Sequence, residues 1–180
     1  MEQQTPSSAQ PKVTIENLAR RIKRLEDIKA IEHLITRYAK ASDKNNDPKL
    51  MLPLFTADGA LDVGSGYGRF EGHEALGTFF AGTSSIISWS LHYNISPFIE
   101  LSEDGTTANA FWYLWELANM PDAKSGDEVP VWIGGSYTSD LVKERDGEWR
   151  FKEIRLAMEI MSPYSEGWVK KPWHDLGRPE

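Results

Sequence analysis

The chain has 180 residues, of which 40% are hydrophobic and 26% charged, as expected for one globular domain with a sizeable core. Its formal net charge of -7 argues against nucleic-acid binding, because phosphate recognition needs a basic face. The sequence contains no cysteine, which excludes disulfides, thiolate catalysis and Cys-ligated metals and fits a cytoplasmic location. Residues 1–12 lack the apolar stretch of a signal peptide, and no apolar run is long enough to span a membrane.

The first half of the chain has the residue spacing of helices. Residues 1–12 are polar and predict a disordered tail. From Val13 to Tyr38, apolar residues recur every three or four positions, which predicts a long amphipathic helix. A candidate bend lies at residues 26–27, and the helix is expected to end within residues 42–47. A short helix, a small hairpin and another helix are expected next, at residues 48–55, 60–70 and 72–82.

After residue 85 the apolar period becomes that of strands. Four long strand candidates follow, at residues 86–101, 106–117, 131–144 and 148–161. Helices followed by a meander of antiparallel strands predict an α+β domain over residues 13–161, in which the long helix packs on a curved sheet and closes one end of a pocket. The tail at residues 162–180 is expected to lie over the pocket or on a neighbouring subunit.

The second long strand candidate is apolar on both of its faces. Trp112 lies on one face, and Tyr113 and Trp115 lie on the other. A strand buried on both sides needs two covers, of which the helices supply one. A neighbouring subunit is the natural second cover, so the sequence predicts an oligomer. In the preceding strand candidate we expect His92 to point into the pocket and Trp89 to lie between subunits.

Three residues are candidates for chemistry. His92 lies in the middle of a strand, and a buried histidine can act as a general base when a carboxylate orients it. Asp43, at the predicted helix end, is the best candidate for that partner. Tyr38, five residues earlier, could protonate a leaving oxygen or hold an oxyanion. The residues alone also allow a hydrogen-bonded core histidine, a loop aspartate and a tyrosine that completes the apolar stripe of the helix.

Several stretches carry a family resemblance, namely residues 28–63, 67–80, 91–94 and 133–149. They resemble the SnoaL-like domains of the nuclear transport factor 2-like superfamily, most closely the branch of scytalone dehydratase, bile-acid 7α-dehydratase and hexachlorocyclohexane dehydrochlorinase. That branch pairs a helix-end Asp with a strand His inside a cone-shaped α+β barrel. The resemblance implies these roles for Asp43 and His92. It also matches Tyr38 to a tyrosine that stands five residues before the Asp in the bile-acid dehydratase, and it implies a homotrimer. It also makes Arg155 the nearest match to a polar residue of the last strand.

The resulting hypothesis is a cofactor-independent lyase of the dehydratase type. His92 would take an acidic C–H proton, Asp43 would orient His92, and Tyr38 would protonate the departing oxygen. No metal or nucleotide cofactor is expected, because the chain has neither HExxH-like spacing nor a glycine-rich loop from a strand into a helix.

The expected substrate is small, mostly apolar and cyclic, of steroid or polyketide type. The apolar and polar candidates for binding it are Phe55, Trp89, Trp112, Tyr113, Trp115, Tyr137, Arg155 and Met158. Two alternatives stay open. An isomerase or cyclase could use the same dyad, and a non-catalytic binding or assembly module, like the small subunit of aromatic-ring dioxygenases, would need neither His92 nor Asp43.

Overall fold

The computed structural model describes residues 14–64 and 66–175. The tail predicted to be disordered, residues 1–12, lies outside the described residues. So do residues 176–180 at the end of the predicted C-terminal tail. Among the described helices, none is both long and apolar enough to cross a membrane.

The long N-terminal helix, α1, spans Ile15–Ser42. Its first turn is capped by Thr14, whose hydroxyl accepts a hydrogen bond from the backbone N of Asn17 at 3.1 Å. The helix runs without a break through residues 26–27. Asp27 is buried there and accepts a hydrogen bond from Trp149 Nε1. Beyond the helix, Asn45 and Asn46 both adopt positive φ, a conformation that asparagine tolerates, and turn the chain toward the next element.

The remaining elements follow the predicted order with shifted boundaries. The predicted short helix is helix α2 plus one 3-10 turn, Leu52–Leu54, and it ends one residue early because Phe55 starts the first strand. The helices are α2 Pro48–Met51, α3 Gly72–Ser84 and α4 Gly167–Lys170. The strands are β1 Phe55–Asp62, β2 Arg69–Glu71, β3 Trp89–Leu101, β4 Thr107–Pro121, β5 Glu128–Lys143 and β6 Trp149–Pro163.

The six strands form one sheet in the order β2-β1-β6-β5-β4-β3. All neighbours are antiparallel except β1 and β6, which are parallel. The sheet is curved and unclosed, with β2 and β3 as its edges, and α1 packs against β3 while α3 packs against β1. The predicted α+β class, with N-terminal helices on a curved sheet, is confirmed.

The side of the sheet that faces the helices, here called the inner face, holds the core. Its largest fully buried side chains include Trp112, Phe55, Phe80 and Phe151. The burial pattern of β4 alternates strictly, so that every even-numbered residue from Ala108 to Met120 is buried. Because side chains alternate along a strand, these residues all lie on the inner face, where they contribute to the core and to the wall of a cavity.

The C-terminal segment folds back on its own chain. Trp173 forms a parallel bridge with Met161 at the end of β6. Trp168 of α4 packs edge-on against Trp115 and Trp132, with ring centroids 6.4 and 6.3 Å away. The described part of the tail therefore covers one end of the outer face of the sheet.

Candidate active site

A cavity of ≈ 140 Å³ lies on the inner face of the sheet, below the end of α1 and beside α3. Its walls are mostly apolar, and they include Phe79, Phe80, Met120, Ile133, Met158 and Met161. Four polar residues of the lining lie close together, and they are Tyr38, His92, Glu116 and Tyr137. An apolar chamber with a few convergent polar groups has the form of a small-molecule site.

The structure brings Asp43 and His92 together. Asp43 is the C-cap residue of α1, and β3 carries His92 past it. One carboxylate oxygen, Oδ1, accepts two hydrogen bonds from His92, one from the backbone N at 2.8 Å and one from ring Nδ1 at 2.9 Å. Nδ1 therefore carries a hydrogen, and the ring is fixed with Nε2 pointing away from α1.

A second carboxylate lies on the opposite side of the same ring. Glu116 of β4 is the cross-strand neighbour of His92, and its Oε2 lies 3.3 Å from Nε2. The side chains of His92 and Glu116 are only 9% and 6% exposed. The other oxygen, Glu116 Oε1, is buried and has no hydrogen-bond partner among the described residues. The ring nitrogens thus face two separate carboxylates, and no group of His, Asp or Glu in the described ranges is arranged to hold a metal ion.

This arrangement decides the protonation of His92. Burial by itself lowers the pKa of the imidazole, because it disfavours the charged form. The negative charge of Glu116 and the hydrogen bonds to Asp43 and Glu116 outweigh burial and raise the pKa of His92 to about 9. At neutral pH His92 is therefore an imidazolium ion.

Tyr38 is buried in the lining of the cavity and touches the ring of Tyr137, with centroids 6.0 Å apart. Burial raises the pKa of the Tyr38 hydroxyl, and the negative charge of Glu116 adds to that effect, while a hydrogen bond with Tyr137 works in the opposite direction. Tyr38 therefore remains protonated at all physiological pH values and is a hydrogen donor in the cavity lining.

Sequence and structure agree on part of the predicted site. Tyr38, His92, Tyr137 and Met158 line the cavity, and Asp43 stands directly behind His92. Glu116 is absent from the residues predicted from the sequence. The sequence pattern that could have identified Glu116 is a single charged residue at an even-numbered position of β4, where the neighbouring even-numbered residues are apolar and buried.

The remaining predicted pocket residues lie elsewhere. Phe55 and Trp112 are 1% and 0% exposed and belong to the core around the cavity rather than to its lining. Trp89, Tyr113 and Trp115 point to the outer face, because adjacent residues of a strand alternate between faces.

Arg155 also lies away from the cavity. Its guanidinium pairs with Asp140 at 2.6 Å and with Glu153, whereas the next residue, Leu156, lines the cavity. Arg155 and Leu156 are adjacent in β6 and lie on opposite faces, because successive side chains alternate along a strand.

The open curved sheet beneath helices is the fold of a solved nuclear transport factor 2-like protein with a cystatin-like fold, from Novosphingobium aromaticivorans, which is 22% identical with a TM-score of 0.67. The model of the SnoaL-like domain matches residues 23–155, and the chain belongs to this family. No protein with curated annotation matches the sequence.

Solved structures agree with this assignment. A candidate aromatic ring hydroxylase from Novosphingobium aromaticivorans is 26% identical, with 77% of this chain and 94% of that chain covered and a TM-score of 0.67. A candidate scytalone dehydratase from the same species is 22% identical over 87% of this chain and 97% of that one, with a TM-score of 0.68. The hexachlorocyclohexane dehydrochlorinase LinA-type3 from Novosphingobium barchaimii is 20% identical, covers 81% and 94%, and has a TM-score of 0.70. The last two likenesses show the fold alone.

Proposed function

We propose that the chain is a cofactor-independent lyase that removes water from a small, mostly apolar cyclic substrate. The observation that carries this proposal is the row Asp43–His92–Glu116 beside an apolar cavity, in which the side chains of His92 and Glu116 are 9% and 6% exposed. A histidine held between two carboxylates in this way can exchange protons with a molecule bound in the cavity.

The chemistry follows from the positions of the groups. The His92–Glu116 pair removes an acidic C–H proton beside a carbonyl or another activating group, and Asp43 keeps the His92 ring in place. Tyr38 keeps its hydroxyl hydrogen and can give it to the departing oxygen. Asp43 orients the row because its Oδ1 accepts from both the backbone and the ring of His92.

The cavity favours a small substrate. Its volume of ≈ 140 Å³ is below the ~300–1,000 Å³ that is typical of ligand pockets. One or two fused rings fit this size better than a whole steroid, which would have to extend out of the cavity. Among the substrate types expected from the sequence, a cyclic polyketide-like phenol or ketone is therefore the better candidate.

A conversion assay tests the proposed function. Purified protein is incubated with a panel of cyclic β-hydroxy ketones and polyketide-like phenols, new conjugation is followed by absorbance, and products are weighed by mass spectrometry. We expect loss of water, and a decrease of about 100-fold or more for His92→Gln. The matched control is His33→Gln, an exposed histidine on α1, which should leave turnover unchanged. Products of unchanged mass would indicate an isomerase or cyclase, and binding without conversion would indicate a binding module.

The homotrimer is proposed on separate grounds. An apolar stripe runs along the outer face of β3 and β4, where Trp89, Tyr93, Ile95, Phe98 and Tyr113 are 46–61% exposed. Ile95 and Tyr113 are cross-strand neighbours, so the stripe is continuous between the two strands. Large exposed apolar patches of this kind mark protein interaction surfaces.

Sedimentation tests this association. We expect the wild-type mass to be three times that of the 20.4 kDa chain at micromolar concentration, and Tyr113→Lys to sediment as a monomer. Thr107→Lys, at the exposed start of the same strand, is the matched control and should remain associated. A monomeric wild-type protein would contradict the proposal.

A further inference from the structure

We propose that Glu116 is the catalytic residue that takes the carbon-bound proton, and that His92 is a positioning residue that holds Glu116. This inference rests on the proposed function and assigns the base within it. The geometry behind it is a buried carboxylate in the lining of the cavity, whose Oε2 lies 3.3 Å from His92 Nε2 and whose Oε1 has no hydrogen-bond partner among the described residues.

The ring of His92 has no free lone pair to offer. Nδ1 donates to Asp43 at 2.9 Å, and Nε2 points at Glu116 Oε2 at 3.3 Å. An imidazole that donates from both nitrogens is an imidazolium, and an imidazolium cannot accept a proton. Burial lowers the pKa of His92, but Glu116 and Asp43 outweigh burial and raise it to about 9, which agrees with that geometry.

Among the described residues that line the cavity, Glu116 is the only carboxylate, and a carboxylate is chemically suited to be a base. Four buried polar side-chain atoms lack a partner among the described residues, and they are Asn94 Oδ1, Trp112 Nε1, Glu116 Oε1 and His174 Nδ1. Of the residues that own them, only Glu116 lines the cavity. A buried acceptor without a partner costs about 1–3 kcal/mol, and such a cost is accounted for at a functional site, where the carboxylate keeps its capacity to accept a proton.

The groups around Glu116 complete the reaction. His92 and Asp43 lie on one side, and the hydroxyls of Tyr38 and Tyr137 come from α1 and β5. The substrate C–H proton moves to the carboxylate of Glu116, the C–H electron pair becomes the new C=C bond, and the C–O bond breaks. The leaving oxygen takes the proton of Tyr38 and departs as water. The proton on Glu116 then returns to Tyr38, which restores the protein.

Deuterium exchange separates the base from the leaving-group chemistry. The probe is β-tetralone, a bicyclic ketone with acidic α-hydrogens and no leaving group, incubated with the protein in D₂O and followed by NMR. We expect wild type to exchange the α-hydrogens, and Glu116→Gln to slow exchange by about 10²–10⁴-fold. Glu100→Gln is the matched control, because this exposed glutamate on β3 receives the same substitution outside the cavity.

His92→Gln gives the second arm. Because His92 is a positioning residue, His92→Gln should slow exchange less than Glu116→Gln does. In wild type the exchange rate should decline above about pH 9, as the imidazolium is lost, and His92→Gln should not show that decline. Exchange that survives in Glu116→Gln but fails in His92→Gln would overturn the role of Glu116 and leave the lyase proposal intact. A wild type that binds β-tetralone without exchanging it would overturn both proposals.

A shorter side chain guards against a variant that does not fold. Glu116→Asp keeps the charge opposite His92 and withdraws the oxygens by one methylene. We expect exchange to slow at least about tenfold. The pKa of His92, followed by the NMR signals of its ring, should remain above its ordinary value. Exchange at the wild-type rate in Glu116→Asp would also overturn the assignment.

Discussion

Two carboxylates are buried in the described part of the chain, and they differ in what surrounds them. Asp27 of α1 is 5% exposed, and its Oδ1 accepts from Lys143 Nζ at 2.6 Å and from Trp149 Nε1 at 3.0 Å. Glu116 is equally buried but has one oxygen on His92 and one oxygen unpartnered.

The difference separates a carboxylate that holds the fold together from one that is kept ready for a ligand. Burial raises the pKa of Asp27, but the hydrogen bonds from Lys143 and Trp149 outweigh that effect and lower it. Asp27 thereby fastens α1 to strands β5 and β6. Glu116 instead lines the cavity and keeps one carboxylate oxygen without a hydrogen-bond partner among the described residues. Unpartnered groups of this kind are expected at functional sites, where local rules of stability are broken.

The largest effect that would sharpen this comparison comes from removing Asp27. Asp27→Ala leaves Lys143 and the Trp149 N–H without their shared acceptor, and we expect a loss of about 3–5 kcal/mol in the free energy of unfolding. Urea denaturation measures it. The neighbouring, exposed Glu26 is the matched control, and Glu26→Ala should change stability by less than about 0.5 kcal/mol. Equal losses for the two variants would remove the structural role of Asp27.

The next effect is the pH dependence contributed by His92. Its folded pKa of about 9 lies above the ordinary value of 6.5, so its stabilisation is complete below about pH 6.5 and is lost as pH rises through 9. We expect a decrease of about 2–3 kcal/mol in the free energy of unfolding over that window. Glu116→Gln should flatten the decrease, and Asp27→Asn should not. A wild-type protein whose stability rises between pH 6.5 and 9 would contradict the charged state of His92.

The smallest expected effect is on the stability of Glu116→Gln itself at neutral pH. The variant loses the attraction to the His92 imidazolium but no longer buries a carboxylate, and these contributions have opposite signs. We expect a net change within about 1 kcal/mol by urea denaturation, alongside the large loss of proton exchange. A loss of unfolding free energy as large as that of Asp27→Ala would instead indicate that Glu116, like Asp27, stabilises the fold.

Much of the architecture could be predicted because it depends on periodicity. The spacing of apolar residues in α1 and the alternation in β3 to β6 identify the elements, and their order gives the α+β class. Asp43 and His92 were within reach as well, because a helix end and a mid-strand histidine are recognisable positions and the family resemblance connects them.

The rest depends on register and on partners distant in sequence, which a single chain does not display. Asp27 looks like a helix interruption until Lys143 and Trp149, more than a hundred residues later, are seen to bind it. The sequence separates Trp112 from Tyr113 and Trp115 by face, but which of the two faces carries the cavity depends on where the helices pack. Two irregularities in the pairing of β5 with β6 also displace the register near Arg155, which no local pattern reveals.

The double hydrogen bond to Asp43 has one more consequence. β3 is an edge strand, and the backbone N–H of His92 points outward from the sheet, where Asp43 Oδ1 accepts it. Unpaired N–H groups on a sheet edge invite the addition of a foreign strand, which is a common route to aggregation. The carboxylate that orients the histidine therefore also closes this edge of the sheet. A protein that lost Asp43 would leave the His92 N–H of this edge strand without its partner and open to strand addition.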